Sequence, residues 1–132
     1  MPVEGSRIIG KVSDEQHDAF VKNPAEVRMG SPQYGVLILD GDPYRIEPRL
    51  ESESLIWSDD GRTLAAQELV AWERGPQTRV VVIDAESREL LAASEALTGL
   101  CNPVRFETDA LVYRHWHHID EEEELRLSFF RL

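Results

Sequence analysis

Residues 55–91 read LIWSDDGRTLAAQELVAWERGPQTRVVVIDAESRELL, and this stretch spells out an antiparallel β unit. Leu55, Ile56 and Trp57 form a short apolar run that Ser58, Asp59, Asp60 and Gly61 stop, because small polar side chains and a glycine that accepts positive φ make a tight turn. Between Thr63 and Trp72 the residues Leu64, Ala66, Val70 and Trp72 share one parity. That alternation predicts a strand, although residues 64–69 also fit a helical turn. Gly75 and Pro76 break the pattern, since glycine weakens a ladder and proline cannot donate to one. Val80, Val81, Val82 and Ile83 are β-branched throughout and pack well on a pleated surface. A turn at residues 84–87 and a short strand at residues 89–92 complete a four-stranded meander.

Trp57-Ser58-Asp59-Asp60-Gly61-Arg62, Leu64-Ala65, Val81-Val82-Ile83-Asp84 and Arg88-Glu89-Leu90-Leu91 together resemble one blade of a TolB-like or WD-repeat β-propeller. In that family an aromatic-Ser-Pro-Asp-Gly-Lys turn joins two strands; Asp59 stands here where the family has proline. The resemblance implies a β-meander architecture and no particular activity, because propellers host unrelated functions. At 132 residues the chain is too short to close a ring, which takes at least four blades of roughly forty residues.

Before this unit, residues 7–12 predict a first strand. Ser13 and Gln16 have the spacing of a capping box, and Asp14 and Glu15 suit the positive end of a helix. A short helix over residues 14–22 is therefore expected, anchored by Phe20 and ended by Asn23-Pro24. Strands are expected at residues 26–29, 34–39 and 44–47, with turns at 30–32 and 40–43. After the unit, residues 98–103 read as a connection. Val104-Arg105-Phe106-Glu107-Thr108-Asp109 then echoes Leu55-Ile56-Trp57-Ser58-Asp59-Asp60 at a distance of 49 positions. Strands at residues 110–116 and 125–132 follow.

The expected fold is all-β, built of antiparallel, partial-propeller-like meanders in two packed or strongly twisted sheets with open edges, plus one short N-terminal helix. A single domain is expected over residues 1–132, with the strand and helix in 1–24 and meanders at 25–54, 55–97 and 98–132.

The formal charge is −11, from 14 basic and 25 acidic residues, and residues 1–50 carry only six of the basic and eight of the acidic ones. The acidity therefore belongs to the later part of the chain. Such a surface repels phosphate backbones and anionic membranes, so neither nucleic acid nor membrane is an expected partner. Cys101 stands alone, which excludes an internal disulfide and reads as a small buried hydrophobe. The N-terminal residues lack the apolar core of a signal peptide, and the expected location is the cytoplasm.

The densest cluster of chemistry-bearing side chains is Tyr113-Arg114-His115-Trp116-His117-His118-Ile119-Asp120-Glu121-Glu122-Glu123-Glu124. It falls at a hairpin equivalent to the one near Trp72 and Glu73. Five consecutive acids beside an aromatic suit recognition of a basic protein surface, with Trp72, Glu73, Trp116, His117, His118, Asp120, Glu121, Glu122, Glu123 and Glu124 as the contact set. An inhibitor, antitoxin or immunity-type protein that neutralises a toxin or nucleic-acid-acting enzyme fits this profile. The same cluster has a metal-binding alternative in His115, His117 and Asp120, because His115 and His117 share strand parity. A third reading is a scaffold module that pairs through exposed sheet edges. No catalytic set and no cofactor motif is present: Asp40-Gly41-Asp42 and Asp59-Asp60-Gly61 lack the ligand ladder of a calcium loop and read as turns.

Overall fold

Among the described residues the chain folds into twelve strands and three antiparallel sheets. The computed structural model describes residues 8–12, 15–22, 35–46, 48, 54–71, 75–118 and 121–129. An N-terminal sheet orders β1 (Ile8–Val12), β2 (Glu15–Lys22), β3 (Val36–Leu39) and β4 (Asp42–Tyr44) side by side. The central sheet orders β5 (Leu55–Trp57), β6 (Thr63–Ala71), β7 (Gln77–Asp84) and β8 (Leu90–Ala93), with β9 (Leu97–Thr98) also paired to β7. The C-terminal sheet orders β10 (Leu100–Glu107), β11 (Ala110–His118) and β12 (Glu121–Ser128). No helix among the described residues is long and apolar enough to cross a membrane.

The sheets number three where two were expected, and the central one is buried on both faces. Leu64 and Ala66 of β6 and Val81 and Ile83 of β7 pack against Ala19, Val21, Leu37 and Leu39 of the N-terminal sheet. The intervening Ala65, Val80 and Val82 pack against Cys101, Leu111 and Tyr113 of the C-terminal sheet. This explains why residues 80–83 are apolar without alternation: each is fully buried, whichever face it points to. A strand covered on both faces reads as a continuous hydrophobic run, and each such side chain contributes about 2 kcal/mol through the area it removes from water.

Turn chemistry sets the registers. Leu39 pairs with Asp42 across a two-residue loop in which Asp40 and Gly41 both adopt positive φ, 51° and 86°. That is the Asp-Gly solution for a hairpin, and it places β4 two residues earlier than the strand expected at 44–47. Pro43 is tolerated in β4 because β4 is an edge strand and needs no outward donor. Gly35 permits β3 to approach β2, since a Cβ there would lie 2.3 Å from the backbone oxygen of Lys22.

The helix expected over residues 14–22 is not found: residues 15–22 form β2. The physical reason is visible in its contacts. His17, Ala19 and Val21 share strand parity; His17 stacks on Trp57 at 6.1 Å, and Ala19 and Val21 enter the core. Ala19, Phe20 and Val21 make a thin helix face, whereas alternation lets Ala19 and Val21 line one strand face. The connection expected over residues 98–103 is also a correction, because β10 begins at Leu100. The strand expected at 26–29 lies outside the described residues.

Polar groups clasp the central sheet to the C-terminal one. Gln67 is fully buried, and its Nε2 donates to the Cys101 carbonyl and to Asn102 Oδ1, each at 2.8 Å. Thr78 Oγ1 donates to the Gly99 carbonyl and accepts from the Cys101 amide, both at 2.8 Å. Burial pushes the Cys101 thiol above its ordinary range, a hydrogen bond with Thr78 opposes this, and the Glu123 carboxylate adds to it. An inert, protonated thiol follows.

Candidate functional site

The acidic cluster of residues 121–124 lies in a strand and not in a loop tip. Trp116 pairs with Glu122, His115 with Glu123 and Arg114 with Glu124 along the β11–β12 ladder. Tyr113 and Leu125 point into the core, so His115 and Glu123 follow them, while Arg114, Trp116, Glu122 and Glu124 lie on the outer face. Trp116 is 46% exposed there.

The described carboxylates of this run all have cationic or imidazole partners. Arg114 pairs with Glu122, and Arg105 pairs with Glu124 at 3.0 Å and with Glu107 at 3.8 Å. Arg126 also pairs with Glu107, and its Nη2 reaches the second oxygen at 3.4 Å. Three arginines and three glutamates thus form a neutral ladder across the outer face. Exposed pairs like these contribute less than about 1 kcal/mol each to stability, but they cancel the field that would steer a distant cation.

His115 sits under the same hairpin with both ring nitrogens engaged: Nδ1 lies 3.0 Å from Glu123 Oε1, and Nε2 lies 2.7 Å from the Thr98 carbonyl. A metal would have to displace one of these. The β11–β12 register shifts between Trp116 and His118. Among the described residues no group of three histidine, cysteine or acidic side chains has the arrangement of a metal site. His117, His118 and Glu121 are placed on their strands by the backbone alone, and Trp72, Glu73 and Asp120 lie outside the described residues.

A second acidic concentration lies toward the β10–β11 turn of the C-terminal sheet, and Arg105 links the two, since it pairs with both Glu124 and Glu107. There a cleft of about 660 Å³ opens between the turn joining β5 to β6 and the turn joining β10 to β11. One wall carries Ser58, Asp59, Asp60 and Thr63; the other carries Glu107, Thr108 and Asp109; Phe106 and Phe129 supply the apolar part. The two phenylalanine rings meet edge to face at 5.8 Å and 82°.

Each wall is built by its own local chemistry. Asp60 Oδ1 accepts from Ser58 Oγ at 2.6 Å and from the Arg62 amide at 3.0 Å, and Ser58 Oγ accepts from the Thr63 amide at 3.1 Å. Gly61 completes this turn with φ of 71°. On the other wall, the Phe129 amide donates to the Asp109 carbonyl at 3.0 Å, tying the end of the C-terminal sheet to the turn. Asp60 and Glu107 are thus held in place by neighbours. Among the described residues, Asp59 and Asp109 have no cationic partner, in contrast to Glu122, Glu123 and Glu124.

The cleft residues were not among those the sequence singled out as a site, because Asp59-Asp60-Gly61 is fully explained as a turn. The signal that finds them is the echo at 49 positions. Trp57, Ser58, Asp59 and Asp60 align with Phe106, Glu107, Thr108 and Asp109, and the aligned turns are the two walls. Neighbouring sheets that stack with like ends together bring corresponding turns side by side.

A cleft of this size is within the range of ligand sites, and its chemistry selects positive charge. Carboxylates attract a cation from two sides, and aromatic rings add a cation–π contribution of about 0.5–1 kcal/mol at an exposed position. No family model, no curated protein and no solved structure matches the chain.

Proposed function

We propose that the protein is a small acidic protein-binding module that captures a basic partner, in the manner of an inhibitor or immunity-type protein acting on a toxin or a nucleic-acid-acting enzyme. The contact is centred on the cleft between Asp59 and Asp109, where a lysine or arginine side chain of the partner inserts between the acidic turns and over Phe106. The observation that supports this reading is a contrast in pairing: the acids of residues 122–124 are matched by partners within the chain, whereas Asp59 and Asp109 on the cleft rim have no cationic partner among the described residues. The exposed Trp116, beside the Arg114–Glu122 pair, is better suited to a neutral, weakly polar contact.

The test is affinity capture at low salt with the immobilised full chain, comparing the wild type, the D59K/D109K variant and an E122K/E124K variant. A partner retained by the wild type and by E122K/E124K, and lost with D59K/D109K, supports the cleft. Equal retention by all three removes it.

A further inference from the structure

A second cavity has the opposite chemistry. It occupies about 440 Å³ on the face of the central sheet that meets the N-terminal sheet, between β4 and the strands β6, β7 and β8. Its floor is apolar, formed by Ile46, Val81 and Leu90, and Leu90 is 49% exposed. Around that floor stand Arg45, Arg79 and Arg88, with Glu68 as the single carboxylate among the described residues. In a chain of net charge −11 such a concentration of guanidinium groups runs against the composition.

Arg79 is accounted for, since its Nε lies 2.5 Å from Glu68 Oε1. Arg88 has no carboxylate among the described residues. Its Nη1 donates to the Leu39 carbonyl at 2.9 Å and its Nη2 to the Pro43 carbonyl at 3.3 Å, and the guanidinium lies over the Tyr44 ring at 5.6 Å. The backbone of Arg88 adopts φ of 62°, a left-handed conformation unusual for a side-chain-bearing residue. The turn holds it there through the Arg88 amide, which donates to the Asp84 carbonyl at 2.7 Å, and Tyr44 Oη donates to the Arg88 carbonyl at 3.0 Å. Burial raises the Tyr44 hydroxyl above its ordinary range, so it stays neutral and offsets none of the positive charge. Arg45 is exposed and, among the described residues, has neither a hydrogen-bond nor an ion partner.

Two guanidiniums with no carboxylate partner among the described residues, Arg88 held by backbone carbonyls and Arg45 exposed, thus flank an apolar floor. We infer that this cavity binds a small organic anion, its apolar body resting on Ile46, Val81 and Leu90 and its oxyanion headgroup held between Arg45 and Arg88. Planar guanidinium donors recognise carboxylate and phosphate oxygens alike, so both headgroups share the chemistry. The site is on the face of the central sheet opposite to the acidic cleft and is independent of it.

The experiment is a titration of the isotope-labelled full chain with benzoate and with phenyl phosphate, followed by amide chemical shifts. Inorganic phosphate and benzylamine serve as controls. Saturable shifts at residues 44–46, 79–81 and 88–90 are expected with at least one of the two organic anions, and the tighter of them identifies the headgroup. Charge reversal at exposed Arg45 (R45E), with an unchanged melting temperature, should weaken that binding by about tenfold or more, whereas R114E should leave it intact. No saturable binding of either organic anion, or an affinity unaffected by R45E, overturns the inference. Equal binding of benzylamine contradicts the role of the arginines, and equal binding of inorganic phosphate contradicts that of the apolar floor.

Discussion

The side-chain amide of Gln67, in the middle of the central sheet, donates to the backbone carbonyl of Cys101 in the neighbouring sheet across 2.8 Å, with both residues fully buried. A polar side chain at this depth is tolerable only because its donor is matched, and the match joins two sheets that share no ladder. Replacing Gln67 with alanine removes two hydrogen bonds and leaves a cavity beside an unmatched carbonyl. A loss of about 2–4 kcal/mol is expected in urea denaturation. A loss under about 1 kcal/mol would show that the two sheets do not depend on this clasp.

Burial of both faces of β7 makes a prediction that a two-layer sandwich does not. Val81 faces the N-terminal sheet and Val82 the C-terminal sheet, each with no exposed surface. Truncation of either to alanine should cost about 2 kcal/mol in chemical denaturation. If one of the two proves nearly neutral, the corresponding face is not covered.

Alkaline pH should destabilise the fold, and the sign follows from the direction of three shifts. Burial raises the Cys101 thiol above its ordinary 9.0 and the Tyr44 and Tyr113 hydroxyls above 10.0. The unfolded chain therefore releases these protons first as pH rises, so it binds fewer protons than the folded chain and stability falls. Their contribution is complete below the unfolded values and is lost as pH climbs toward the folded ones. The urea midpoint should hold steady from about pH 7 to 8.5 and decline above about pH 9, and C101A should soften the first part of the decline. A midpoint that stays level to about pH 11 would contradict the burial of all three groups.

Much of the strand content could be read directly. The β-branched run at residues 80–83 and the Asp-Gly and Asp-Asp-Gly turns specify their conformations locally, and the structure has strands and turns there. What lay outside local reading was set by partners far along the chain. The capping-box spacing near Ser13 and Gln16 favours a helix start, but contacts of β2 with Asp40 and Trp57 decide for a strand: His17 Nδ1 lies 2.7 Å from Asp40 Oδ2, 23 residues on. The acids at 122–124 look like a free charge run in sequence because Arg105 is 19 residues from Glu124, and only the ladder register places it alongside. The cleft is the converse case. Its two walls were legible as an echo, and their adjacency was not, because stacking order is a property of the core between the sheets.

The cleft reading is tested most directly by mapping a short arginine-rich peptide onto the isotope-labelled full chain through its amide shifts. Saturable shifts at Asp59, Asp60, Thr108 and Asp109 are predicted, weakening as salt rises and abolished in D59K/D109K without a change in melting temperature. Shifts concentrated at residues 122–124, or spread without saturation over the whole acidic surface, would contradict a binding site between the two turns.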